Sequence, residues 1–117
     1  MSTAQKKSLD APDQALNMDL GKIDIVEIAG AGVGRATFQP GWKWSEHEKP
    51  VVGGGDYCDV PHFVYLAKGQ LKVVFADGAE LELKAGDVAT LPAGHDGWVV
   101  GNEEAVMLDF GAIAKPF

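Results

Sequence analysis

Gly86-Asp-Val-Ala-Thr-Leu-Pro92-Ala-Gly94-His95-Asp-Gly97 decides the fold, read together with Gly41-Trp-Lys-Trp-Ser-Glu-His47-Glu-Lys49 and its continuation His62-Phe-Val-Tyr-Leu-Ala-Lys-Gly69. Glycine and proline stand where a turn needs a positive or a fixed φ. Between them lie short runs of strand-like sequence. Working outward, Leu71, Val73 and Phe75 alternate with Lys72 and Val74, a period of two. Asp77-Gly78 predicts a tight hairpin turn of the primed type. Beyond it Leu81 and Leu83 alternate with Glu80, Glu82 and Lys84, giving a strand with one wet face. Further runs at 23–28, 35–39, 62–66, 88–91, 98–100 and 105–110 bring the expectation to about eight strands. Residues 42–61 are rich in Gly and Pro and show no clear period. The pattern implies an all-β sandwich or barrel, without choosing between them.

The composition sets outer bounds. A chain of 117 residues is sized for one domain. Residues 1–21 are small and polar around Pro12 and read as a flexible N-terminal arm, with the folded domain over 22–117. Acidic residues outnumber basic ones, 17 to 10, for a net charge of −7. That field repels nucleic acid and anionic membrane surfaces, so neither is expected as a partner. A lone cysteine, Cys58, rules out an intramolecular disulfide. With no secretory signal pattern at the N-terminus, a cytoplasmic location is the expectation.

The quoted segments resemble the two motifs of the cupin superfamily, over about residues 23–112. Gly41, Gly69, Gly86, Pro92 and Gly94 match the family's turn frame. The resemblance implies a cupin-type jelly-roll β-barrel, the double-stranded β-helix. Leu71, Val73, Phe75, Leu81, Leu83, Val106, Leu108 and Phe110 are its expected core. It also implies a homodimer, with the strand at 23–28 as the element to exchange.

The family commonly holds a divalent metal with three histidines and a glutamate. Here His47 keeps the first histidine position, Lys49 stands at the second, and His62 stands at the glutamate position. Gly97 occupies the last histidine position, and His95 lies two residues earlier, on the same face if a strand has begun there. The resulting expectation is a metal site of His47, His62 and His95, with Cys58 or Asp56 as a further ligand. Imidazole suits zinc, iron, nickel or copper, the family adds manganese, and a thiolate would tilt the choice toward zinc. The opposing reading is that the metal has been lost and the histidines merely line the pocket. Lys49 is either a solvated loop lysine or a binder of a substrate carboxylate or phosphate. Cys58 is either a pocket residue or an apolar filler.

Trp42, Trp44 and Trp98 are expected mostly in the core, with one at the pocket mouth; Lys49, Asp56 and Trp98 are the candidate pocket residues. Val52-Gly53-Gly54-Gly55-Asp56 lacks the Lys-Ser/Thr ending of a phosphate loop and reads as a flap over the barrel; no organic cofactor is expected. Two functions follow. One is a metal-dependent dioxygenase, isomerase or lyase acting on a small polar molecule. The other is a metal-free module that binds or senses a small molecule without catalysis.

Overall fold

The computed structural model describes residues 3–110. The ends of the expected arm and domain, 1–2 and 111–117, lie outside the described residues. The chain forms β1 (Gln14–Met18), β2 (Gly21–Ile28) and β3 (Ala31–Phe38), then a π-helical turn (Trp44–Glu48) running into α1 (Lys49–Val52). β4 (His62–Lys68), β5 (Gln70–Phe75), β6 (Glu80–Lys84), β7 (Val88–Leu91), β8 (His95–Val99) and β9 (Ala105–Asp109) follow. A six-stranded sheet has the order β1-β2-β3-β9-β4-β7, and a three-stranded sheet the order β6-β5-β8. All pairings are antiparallel. This is the jelly-roll barrel the motifs imply.

The core sits between the sheets. Along β4 the side chains alternate, with His62, Val64 and Leu66 buried and Phe63 and Tyr65 exposed. Ile23, Val64 and Leu66 are almost wholly buried, each contributing about 1.5–3 kcal/mol of apolar burial. Gly69 has a φ of 81°. A Cβ there would stand 2.6 Å from the Glu104 carbonyl oxygen and 2.8 Å from Ala105 Cα. Only glycine lets this turn lie against the start of β9.

Several expectations change. The arm carries a strand of its own, because β1 pairs with β2 from Gln14↔Ile25 to Met18↔Gly21. Residues before it are tied down as well. Arg35 donates to the Leu9 carbonyl and the Asp10 carboxylate, and the Asp13 carboxylate accepts from Glu27 N–H. The Asp77-Gly78 hairpin closes with a three-residue loop, Phe75 N–H donating to Ala79 O, and only Gly78 takes a positive φ, 91°. Asp77 instead accepts from Ala79 N–H, so the turn is not of the primed type.

β9 has the opposite parity to the one expected. Ala105, Met107 and Asp109 face inward, Val106 and Leu108 are half-buried, and Phe110 is exposed. The register Val64↔Asp109 puts Asp109 inside because His62 offers it a buried partner. Leu71, Val73 and Leu83 are buried as expected, with Phe75 and Leu81 packed at the core's edge.

Candidate metal centre and cavity

Cys58 and His62, four residues apart, meet His95 of a distant strand inside the barrel. His62 is the first, inward-facing residue of β4, and His95 opens β8. Cys58 lies in the long connection but pairs with His95 as an isolated bridge, its N–H donating to His95 O at 2.7 Å. That backbone pairing sets the thiol beside the imidazole. One potential ligand atom from each residue falls within 4.8 Å of the others, and all three residues are buried. Cys58 Sγ is 3.7 Å from His62 Nε2.

The hydrogen bonds behind the two rings fix which nitrogen faces the group. His62 Nδ1 is held by the Asp109 carboxylate. His95 Nδ1–H donates to the Pro92 carbonyl at 2.8 Å. Each ring therefore turns its Nε2 edge inward, as in carboxylate–histidine–metal arrangements. The rings meet edge to face, 5.2 Å between centroids. Burial, and then neighbouring His62, lowers the pKa of His95 and favours its neutral form, the form that ligates. Burial also pushes the Cys58 thiol up to about 11, helped by the charges of Glu48, Asp59 and Asp109.

A divalent ion fits this donor set. Tetrahedral coordination with bonds of about 2.3 Å to sulfur and 2.0 Å to nitrogen places S and N about 3.5 Å apart. The Cys58–His62 separation of 3.7 Å is close to that. Closing a separation of 4.8 Å to tetrahedral spacing needs a shift of about 1.5 Å.

The remaining sequence candidates fall elsewhere. His47 does not join the cluster. It lies on the π-helical turn with Nδ1 accepting from Lys43 N–H at 3.0 Å, while Nε2 faces Asp19 at 4.0 Å. The turn buries Trp44 and Glu48 instead, so His47 looks away from the barrel. Lys49 and Asp56 form a surface ion pair at 3.4 Å, and neither lines the cavity. A carboxylate 92% exposed, as that of Asp56 is, stands in water. Trp98 does line the cavity, with Trp42 and Trp44, and it also borders an outer groove where Lys43 Nζ lies 5.3 Å from its ring. Gly97, at the last histidine position, is on the wall too; a Cβ there would stand 3.1 Å from Lys72 O, so β8 is tight at that point.

Two residues went unread in the sequence. Glu48, 2% exposed, lines the cavity. Its carboxyl is pushed up to about 7 by burial, and the one opposing influence is the Trp44 indole N–H. Trp44 Nε1 is buried as well, with no acceptor at strict hydrogen-bond geometry among the described residues. Asp109 is the second. Its signal was a single acid inside the apolar run Ala105-Val-Met-Leu-Asp-Phe110. The cavity offers about 50 Å³ to the centres of water-sized molecules.

Residues 42–106 match the EutQ-like cupin domain family. No curated protein matches the chain by sequence. Among solved structures, oxalate decarboxylase from Bacillus subtilis is similar at a TM-score of 0.63 and 23% identity, covering 86% of this chain and 28% of that one. A putative ethanolamine utilization protein Q from Salmonella typhimurium aligns at 0.53 and 13% identity, covering 79% and 70%. A cupin superfamily protein from Desulfitobacterium hafniense aligns at 0.52 and 16%, covering 86% and 80%. Likeness at these identities shows the fold alone.

Proposed function

The chain belongs to the EutQ-like cupin domain family, and from that premise we propose that it binds a divalent cation through Cys58, His62 and His95 and receives a small polar metabolite beside it. The observation that carries this reading is the convergence of three buried ligand atoms within 4.8 Å, with both Nδ1 positions already engaged. Asp109 and the Pro92 carbonyl orient the rings. The walls of the cavity are largely apolar, Ile23, Phe38, Leu71 and Met107 among them. A sulfur ligand with two imidazoles favours zinc over manganese, with iron and nickel between. A bound ion would supply a Lewis-acidic charge to polarise a guest oxygen, the chemistry of a dioxygenase, isomerase or lyase. Cys58 would release its proton on ligation. Trp98 borders both the cavity and the outer groove.

Two observations favour the second reading, a metal-free module that binds a small molecule without catalysis. Cys58 is held well on the thiol side, and three tryptophans line the cavity. Metal analysis of tag-free protein separates the two. The metal reading expects about one ion per chain after supplementation, and its loss in His62→Ala. Wild type holding less than about a tenth of an ion per chain overturns it and leaves the binding module.

A further inference from the structure

Cys58, His62 and His95 offer one sulfur and two imidazole nitrogens, and no carboxylate joins the group among the described residues. Asp109 is committed to His62 Nδ1, and Glu48, though on the cavity wall, stands outside the group. One thiolate and two imidazoles in a buried site suit copper, which accepts such a set as three ligands in a plane. Zinc takes four, and here its fourth would be a water or guest held in a largely apolar cavity. Resting on the reading of this group as an ion site, we propose that Cys58, His62 and His95 form a three-coordinate copper centre that exchanges one electron with an external one-electron carrier. The ion changes between Cu(I) and Cu(II), and no bond to the protein is made or broken.

The spacing agrees. Bonds of about 2.3 Å to sulfur and 2.0 Å to nitrogen, opened to about 120° in a plane, set S and N about 3.7 Å apart. Cys58 Sγ and His62 Nε2 are 3.7 Å apart. Each donor is also held from behind. His62 and His95 stand on strands, their Nδ1 positions engaged by Asp109 and the Pro92 carbonyl, and Cys58 N–H is bonded to His95 O. Met107 adds a thioether to the same cavity wall, the soft neighbour that copper–thiolate sites commonly carry. The thiol's isolation is the last condition. Two Cu(II) ions on accessible thiolates consume their own ligands, giving two Cu(I) ions and one disulfide. That reaction needs two thiolate sulfurs in contact. Cys58 is the only cysteine of the chain and is 2% exposed, so in the folded protein no second thiolate reaches it.

The test uses full-length, tag-free protein, reduced and stripped with chelator, then titrated anaerobically with Cu(II) sulfate. An intense visible thiolate-to-copper charge-transfer band is expected, saturating at about one equivalent per chain. Ascorbate should bleach it and ferricyanide restore it over repeated cycles. Cys58→Ser should lose the band entirely while keeping the wild-type far-UV circular dichroism. The proposal is overturned if copper binds wild type without the band, if the band fails to return on reoxidation, or if a folded Cys58→Ser keeps it. Should that variant not fold, the band and the narrowed copper hyperfine splitting in the electron paramagnetic resonance of wild type decide by themselves. Zinc uptake by the same stripped preparation is a separate readout. Zinc held at about one per chain with no copper band sinks the copper centre and leaves the metal site standing, whereas a chain that retains neither ion ends both.

Discussion

Replacing Glu48 by glutamine should make the metal-free protein more stable at alkaline pH and leave it nearly unchanged in acid. The carboxyl has an ordinary value of 4.5 and is pushed to about 7 in the fold. Below 4.5 it is protonated in both folded and unfolded chains and has no effect. As pH rises from there toward 7, the unfolded chain ionises first and gains, so stability is lost across that window. The full loss is about 3 kcal/mol. Between pH 5 and pH 8 the loss is about 2 to 3 kcal/mol, since a little has gone by pH 5. Glutamine keeps the shape and cannot ionise. His95 works the other way: its lowered pKa makes stability fall as pH drops below the ordinary histidine range. That contribution is common to both proteins and cancels in their difference. Urea unfolding of wild type and Glu48→Gln, in chelator from pH 5 to 8, gives the difference directly. A difference that stays flat, or that favours wild type more as pH rises, would refute the placement of Glu48 in a dry wall.

Other expectations follow from single contacts. Asp109→Asn should weaken zinc binding by about tenfold or more in chelator competition; unchanged affinity would mean that Asp109 does not tune His62. Gly69→Ala meets the Glu104 carbonyl at 2.6 Å in a left-handed conformation and should cost roughly 2–4 kcal/mol in urea, whereas a loss below 1 kcal/mol, about the bare cost of the φ, would mean that the turn moves aside. Leu66→Ala, at a fully buried position, should cost about 2–5 kcal/mol; a near-neutral result would contradict the barrel packing. We also propose a homodimer through the outer face of β4 and β7, where Phe63, Tyr65 and Val88 are exposed. Light scattering should find a dimer in wild type and a monomer in Phe63→Lys/Val88→Lys; a monomeric wild type ends that proposal.

The barrel was legible because turns are written locally. Gly41, Gly69, Gly86 and Pro92 mark chain reversals by residue type alone, and the alternation at Leu71–Val73 survives inspection by eye. The site was only partly legible. His62 and His95 could be paired because both sit on strands, where parity tells facing. His47 misled because its segment coils into a π-helical turn, and one residue's rotation there exchanges His47 for Glu48 at the wall. β9 misled for a related reason. Keeping Asp109 out of the core put Val106, Leu108 and Phe110 inside, whereas an acid with a buried histidine partner belongs within. The His62–Asp109 contact spans 47 residues, so no local pattern displays it.

The connection between β3 and β4 is hemmed to β8 by two isolated bridges, Lys43↔Trp98 near its start and Cys58↔His95 near its finish. The second stitch carries two of the three groups that could grip an ion. An ion seated there would act as a rivet through that stitch, closing the panel that carries Trp44 and Glu48. Filling the cavity and fastening its cover would then be one event, and a protease probing the Gly53–Gly54–Gly55 stretch would sense whether the rivet is in.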